Sequence, residues 1–205
     1  MNKDVIHYLM LYNENQQQPA KPDGCDEGIV KGAYKLQESK KSDFGHVRIL
    51  GSGPILQYAR EAASFLESEF EISSEVWSVT SYGELRREGM ESERQNRLNP
   101  QSQKSAYVSD CFGDDTPTIA VSDYIVAVPE MIQRWVGGRF TVLGTDGFGR
   151  SDTREELRRF FEIDTKSIVL AALSTLEREG TLKEGTVKEQ SEKMGISRIR
   201  EDKAA

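Results

Sequence analysis

Hydrophobic positions along this chain change their period several times, and each change marks a structural element. Val5–Tyr12 is rich in β-formers and predicts a strand. Residues 13–22 are polar, with Gln16-Gln17-Gln18 and two prolines, and predict a loop. A short helix is expected from Asp26 to Tyr34, with Ile29 and Ala33 four apart, and Lys40 to Gly45 reads as a polar linker. Residues 1–40 are therefore expected to be the tail of an upstream domain plus a connector, ahead of an α/β domain over 41–205.

From residue 47 strands and helices alternate. Val47–Leu50 predicts a strand closed by Gly51-Ser52-Gly53, and Pro54 suits the first turn of a helix, where its missing N–H is no loss. Ile55, Ala59, Ala62, Ala63 and Leu66 fall on one face of that helix. Val76–Val79 is a second strand, followed by a charged surface helix from Tyr82 that ends at Asn99-Pro100. Thr118–Val121 is a third strand. Ser122–Val128 is ambiguous, and Pro129 is expected to start a helix to about Trp135, closed by Gly137-Gly138. Phe140–Leu143 is a fourth strand. Asp152 is the expected cap of a helix carrying Leu157, Phe160 and Phe161, and Asp164 of one carrying Ile168, Ala172 and Leu176. A last amphipathic helix is expected from Leu182 to Met194. This alternation predicts a three-layer α/β/α fold with a mostly parallel sheet. In such sheets the loops after the strands carry ligands: Gly51–Pro54, Thr80–Glu84, Ser122–Tyr124 and Gly144–Ser151.

Composition adds boundaries. With 37% hydrophobic and 30% charged residues the chain can build a core, which excludes wholesale disorder. A net charge of -7 argues against sequence-independent nucleic-acid binding. Cys25 and Cys111 form no Cys-x-x-Cys pair, which fits a reducing compartment. No apolar run approaches the roughly 20 residues that span a bilayer, and no signal peptide follows Met1. A cytoplasmic location is expected.

The candidate chemistry is sparse. Gly51-Ser52-Gly53 follows a strand as a dinucleotide-binding turn would, but Leu56 stands where the third glycine belongs, and no carboxylate ends the next strand at Thr80-Ser81. A tight strand-to-helix turn is the favoured reading. Gly144-Thr145-Asp146-Gly147-Phe148-Gly149-Arg150-Ser151 holds three glycines in eight residues, which predicts an unusual backbone path with positive φ angles. Its amides could form an anion nest with Arg150 as partner; alternatively Asp146 folds back onto loop amides and holds the turn, which is favoured. Asp146-Gly147 resembles the start of a thiamine diphosphate motif, yet Thr145 replaces its first glycine and no asparagine follows Asn99 to complete an oxygen shell for Mg²⁺. His7 and His46, the only histidines, support neither a triad nor a metal cluster. Arg86–Arg94 mixes both signs and reads as a solvated face laced with ion pairs, with a docking face as the rival.

Specific strings add a resemblance. Ile49–Leu56, Val76–Leu85 and Glu93–Asn96 are similar to the last domain of homodimeric, single-chain bacterial pyruvate dehydrogenases, and Val142–Asp152 with Arg154-Glu155 and Leu157-Arg158 is the strongest match. A looser form resembles the C-terminal domain of transketolases. Leu11–Asn15 and Glu27–Gly32 resemble the exit from the preceding, middle domain. The resemblance implies a transketolase C-terminal-like domain of an enzyme that decarboxylates pyruvate and reductively acetylates a lipoyl group. It implies thiamine diphosphate and Mg²⁺ in the parent protein, a homodimer, and dihydrolipoyl acetyltransferase as partner, with no nucleic acid and no membrane. No catalytic, cofactor-binding or metal-ligating residue of that family maps onto this chain. By itself the chain is expected to be noncatalytic and to bind no cofactor, as a structural and assembly domain. The alternative is a nucleotide- or anion-binding regulatory α/β module.

Overall fold

A computed structural model describes Ile6, residues 15–39 and residues 42–196. The strand expected over Val5–Tyr12 lies, apart from Ile6, outside the described residues, as does His7. The elements run α1 (Asp26–Lys31), β1 (Ala33–Glu38), β2 (His46–Gly51), α2 (Leu56–Phe70), β3 (Ser73–Val79), α3 (Tyr82–Leu98), α4 (Tyr107–Phe112), β4 (Thr118–Val121), α5 (Ala127–Glu130), β5 (Phe140–Leu143), α6 (Arg154–Phe160), α7 (Thr165–Arg178) and α8 (Thr186–Met194). The five strands form one sheet in the order β1-β3-β2-β4-β5. β1 runs antiparallel to β3, and the other pairings are parallel. Three layers result, with α2, α7 and α8 on one face and α3, α4 and α5 on the other.

The layering follows from alternation along strands that are buried on both faces. Val47 and Ile49 of β2 point to α2 and α7, while Leu50 points to α3 and α4. Val76 of β3 joins the first core, and Trp77 and Val79 join the second. The Ile55, Ala59, Ala62, Ala63 and Leu66 face of α2 is buried as its spacing requires. Ser81 caps α3 by accepting the Glu84 amide at 3.0 Å, and Asp164 caps α7 by accepting the Ser167 amide at 3.0 Å.

Three boundaries depart from expectation. The helix expected to Tyr34 stops at Lys31, because Gly32 takes a left-handed φ of 108° and the chain turns into β1. A Cβ at Gly32 would lie 2.5 Å from the Ser81 carbonyl, so the turn requires glycine. β1 therefore joins the sheet from within the segment expected to be tail and linker. The helix expected to begin at Pro129 begins at Ala127 and gives way to a 3-10 turn at Gln133–Trp135; proline is tolerated in the first turn because that turn's amides lack helical acceptors. Thr153, not Asp152, caps α6 by accepting the Glu156 amide, while Asp152 accepts the amide of Thr153. α8 starts at Thr186 rather than Leu182, and Glu177 of α7 accepts the amides of Gly185 and Val187 at its start.

A charge cluster lies inside the α3–α4 side of the sheet. Arg48 is 3% exposed and pairs with Glu75; its Nη2 reaches Asp114 at 2.9 Å, and Lys35 reaches Glu75 at 2.8 Å. The Arg48 guanidinium also sits 5.5 Å from the Phe112 ring centre. Burial is the strongest single influence on the Glu75 carboxyl and would raise it, but Lys35 and Arg48 together outweigh burial and hold it below its ordinary value. Burial likewise opposes ionisation of Asp114, and Arg48 again prevails. A carboxyl lowered on folding stabilises the native state fully above its unfolded value and loses that contribution as pH falls through the folded one. Glu75→Gln should therefore cost about 3–5 kcal/mol at neutral pH, read from urea unfolding. The gap to the parent chain should narrow below the ordinary glutamate value of 4.5. A gap that stays constant from neutral to acid pH contradicts the assignment.

Candidate functional site

The parallel strands end together, and three of the four loops expected to carry ligands meet there. β2 ends at Gly51, after which Ser52 is extended and a 3-10 turn over Gly53–Ile55, with Pro54 at its start, leads into α2. The Ile55 amide donates to the Ser52 carbonyl, and the Leu56 amide to those of Gly53 and Pro54. These amides are spent within the turn, so the segment acts as a tight strand-to-helix connection rather than a phosphate cradle. The Ser52 and Ser122 hydroxyls lie 3.0 Å apart, both buried, and tie the ends of β2 and β4 together.

β4 and β5 are stitched beyond their last ladder pair. The Ser122 amide donates to the Leu143 carbonyl, and the Ser122 hydroxyl accepts the Tyr124 amide. Thr145 donates its amide to the Tyr124 carbonyl and its hydroxyl to the Asp123 carbonyl at 2.6 Å. The Asp146 carboxylate accepts the Val126 amide at 3.0 Å. Asp146 thus joins two loops rather than folding back onto the amides of its own, as was favoured from the sequence: the amide it accepts lies 20 residues earlier. A Cβ at Gly144 would lie 2.7 Å from the Tyr124 carbonyl oxygen and 3.0 Å from the Val126 nitrogen, so this close approach needs glycine. Of the three glycines in the loop only Gly147 takes a positive φ, 96°.

A cleft of about 410 Å³ opens beside this stitched edge. Pro54, Ile55 and Asp123 line one part of it, the loop from Thr145 to Arg150 another, and Arg154, Leu157, Arg158 and Phe161 the far wall. Arg150 stacks on Phe160 at 4.2 Å from the ring centre. Arg158 stacks on Tyr58 at 4.8 Å and donates to its hydroxyl at 2.5 Å. The sequence reading singled out Arg150 and passed over Arg154 and Arg158, although their spacing of four places them on one helical face.

The remaining described candidates lie elsewhere in the fold. The His46 Nδ1 lies 2.8 Å from the Ser73 hydroxyl. Cys25 and Cys111 are free thiols, and burial above all pushes the Cys111 thiol up. Within the charged helix Arg87 pairs with Glu84 and Arg94 with Glu91, whereas Glu93 reaches Arg134 and Glu88 accepts the Tyr107 amide. That face is partly ion-paired in solvent and partly a brace for its neighbours. Among the described residues no group of three His, Cys, Asp or Glu side chains could hold a metal. The donor set does not fit Mg²⁺ and a diphosphate: Asp146 is engaged by a backbone amide, and no asparagine follows Asn99.

Comparison with known proteins places these observations. A family model described as the Transketolase-like TK C-terminal domain matches residues 32–164, which takes in β1. The chain is 48% identical over 197 residues to the pyruvate dehydrogenase E1 component of Pseudomonas aeruginosa, covering 95% of this chain and 22% of that protein. It is 41% identical over 196 residues to the same component of Escherichia coli K12, again covering 95% and 22%. The chain thus spans about a fifth of the length of the curated relatives it matches. Among solved structures, a transketolase from Leishmania mexicana superimposes with a TM-score of 0.52 at 21% identity, over 77% of this chain and 20% of that one. A transketolase from Campylobacter jejuni gives 0.50 at 21% identity, over 78% and 20%. At that identity these structures speak to the fold.

Two substitutions test the stitched edge. Asp146→Ala should destabilise by about 1 kcal/mol and speed hydrogen exchange at the Val126 amide, whereas Asp146→Asn should keep most of the protection; equal exchange in all three chains would rule out the bond. Gly144→Ala should force the β4 and β5 loops apart and lower the melting temperature by several degrees, on the order of a 1–3 kcal/mol overpacking cost. An unchanged melting temperature would show that the loops do not approach this closely.

Proposed function

This chain belongs to the Transketolase-like TK C-terminal domain family, and on that premise we propose that it is the C-terminal structural and assembly domain of a pyruvate dehydrogenase E1 component. The observation that carries this reading is identity of 40–48% over about 95% of the chain to proteins bearing that one name. The transketolase structures match at 21%. In this reading the parent protein decarboxylates pyruvate and reductively acetylates the lipoyl group of a dihydrolipoyl acetyltransferase partner. Thiamine diphosphate and Mg²⁺ belong to the parent's other domains, and the parent works as a cytoplasmic homodimer. The joint to the upstream domain falls ahead of Ala33, where the sheet begins.

What this chain contributes is shape and rigidity. Its central strands β2, β3 and β4 are covered on both faces, and its strand-end loops are fastened by Ser52, Ser122, Thr145 and Asp146. A net charge of -7 supports a role without nucleic acid. Among the described residues no helix is long and apolar enough to cross a membrane.

Calorimetry of the 205-residue chain with thiamine diphosphate and Mg²⁺ tests the proposal. No saturable heat is expected. One-to-one binding of the cofactor, or carbon dioxide released from pyruvate by this chain alone, would overturn it.

A further inference from the structure

Of the loops expected to carry ligands, the one after β3 is engaged by the chain itself. The Gly32 carbonyl, just past α1, accepts the amides of Thr80 and Ser81 at 2.9 and 3.0 Å. The Thr80 hydroxyl donates to the Ile29 carbonyl at 2.8 Å. The Tyr107 hydroxyl donates to the Ala33 carbonyl at 2.8 Å, and Lys31 stacks on the Tyr107 ring at 4.8 Å from its centre. The approach is close: a Cβ at Gly28 would lie 2.6 Å from the Ala33 carbonyl oxygen and 2.9 Å from the Tyr107 hydroxyl.

α1 has only six residues, and a helix that short does not hold itself together in water. Gly28 within it weakens it further. Its order therefore comes from what it touches. One side is sunk and the other open: Gly28 is buried, whereas Val30 is 77% exposed. Ahead of it Ala20, Lys21, Asp23 and Gly24 are exposed, and residues 20–24 make no backbone hydrogen bond among the described residues.

We propose that residues 26–33 are a strap locked across the end of β3, and that residues 20–24 are the hinge from which it hangs. The strap opens only when the sheet opens. It takes the Thr80 and Ser81 amides, and Ser81 takes those of Glu84 and Leu85, so this strand end is a seat for the strap rather than for a ligand. The lock is independent of the role proposed in pyruvate dehydrogenase.

Hydrogen exchange on the 205-residue chain reads the lock. The Ile29 and Gly32 amides should exchange within about tenfold of the Val76 amide of β3; exchange at the rate of an open chain overturns the proposal. Gly28→Ala separates the two cases by sign. A free helix gains from alanine, and both amides would exchange about threefold more slowly. In the locked strap the new Cβ meets the Ala33 carbonyl, so both should exchange faster and the melting temperature should fall. Thr80 is exposed, so Thr80→Val should stay folded; losing the bond to the Ile29 carbonyl should speed both amides about fivefold, with the Ile119 amide of β4 unchanged. Val30→Ala, on the open side, should not loosen the Thr80 and Ser81 amides. Slower exchange in Gly28→Ala, no change in Thr80→Val, or loosening by Val30→Ala equal to that by Thr80→Val overturns the lock. Brief digestion with proteinase K should cut within residues 20–24 before any bond from 26 to 33; the reverse order overturns the hinge.

Discussion

Burial of the parallel strands on both faces is the constraint from which the rest of this structure follows. Every β3 residue is buried, and β2 is buried from Val47 to Gly51. Side chains of either parity must then find a helix, which sets the two helical layers and leaves only the strand ends open to chemistry. The Arg48–Glu75 pair is the exception within the sheet. A charge on such a strand must be paired, and Lys35 from the antiparallel edge strand and Asp114 from the loop after α4 complete the neutralisation. The cluster fastens β1, β2, β3 and the α4–β4 loop at one place. It trades hydrophobic burial for a fixed arrangement, with the Arg48 Nη1 left without a hydrogen-bond partner among the described residues.

The same constraint explains which elements the amino-acid pattern revealed. β2, β3, β4 and β5 each contain a short apolar run, the first three as covered strands and β5 as a half-buried one, and all four were legible. β1 was not. Its sequence, Ala-Tyr-Lys-Leu-Gln-Glu, belongs to an antiparallel edge strand that is mostly half-exposed, so it lacks the apolar run. The four-residue spacing of Ile29 and Ala33 pointed to a helix across the boundary, although Gly32 between them is where the helix stops. Helix caps failed by one residue for a local reason: Asp152 and Thr153 are both good caps, and only the backbone path of the preceding loop decides between them. The same Asp-Thr pair recurs at Asp164-Thr165, and there the Asp is the cap, as expected.

At the strand ends, residue types were legible and partners were not. The run Gly144–Ser151 announced an unusual loop, and an Asp inside it announced a turn-holding carboxylate. Nothing local to that loop names the Val126 amide as its acceptor's partner, because the contact is made between two loops brought side by side by β4–β5 pairing. The arginine wall was hidden for the same reason. Arg150, Arg154 and Arg158 show helical spacing, but only the fold sets them opposite Pro54 and Ile55, a hundred residues earlier in the chain.

The overall acidity of the chain does not set the charge at every point of its surface. Charges interact weakly through water, and at physiological ionic strength screening acts over about 8 Å. Carboxylates on remote helices therefore contribute little at the mouth of the cleft. Arg150 stands there exposed, stacked on the Phe160 ring. The loop stitching sharpens the contrast. By accepting the Val126 amide, the Asp146 carboxylate has part of its acceptor capacity directed to the backbone of the other loop. One aspartate thus fastens the loop after β5 to the loop after β4, at the edge of the cleft.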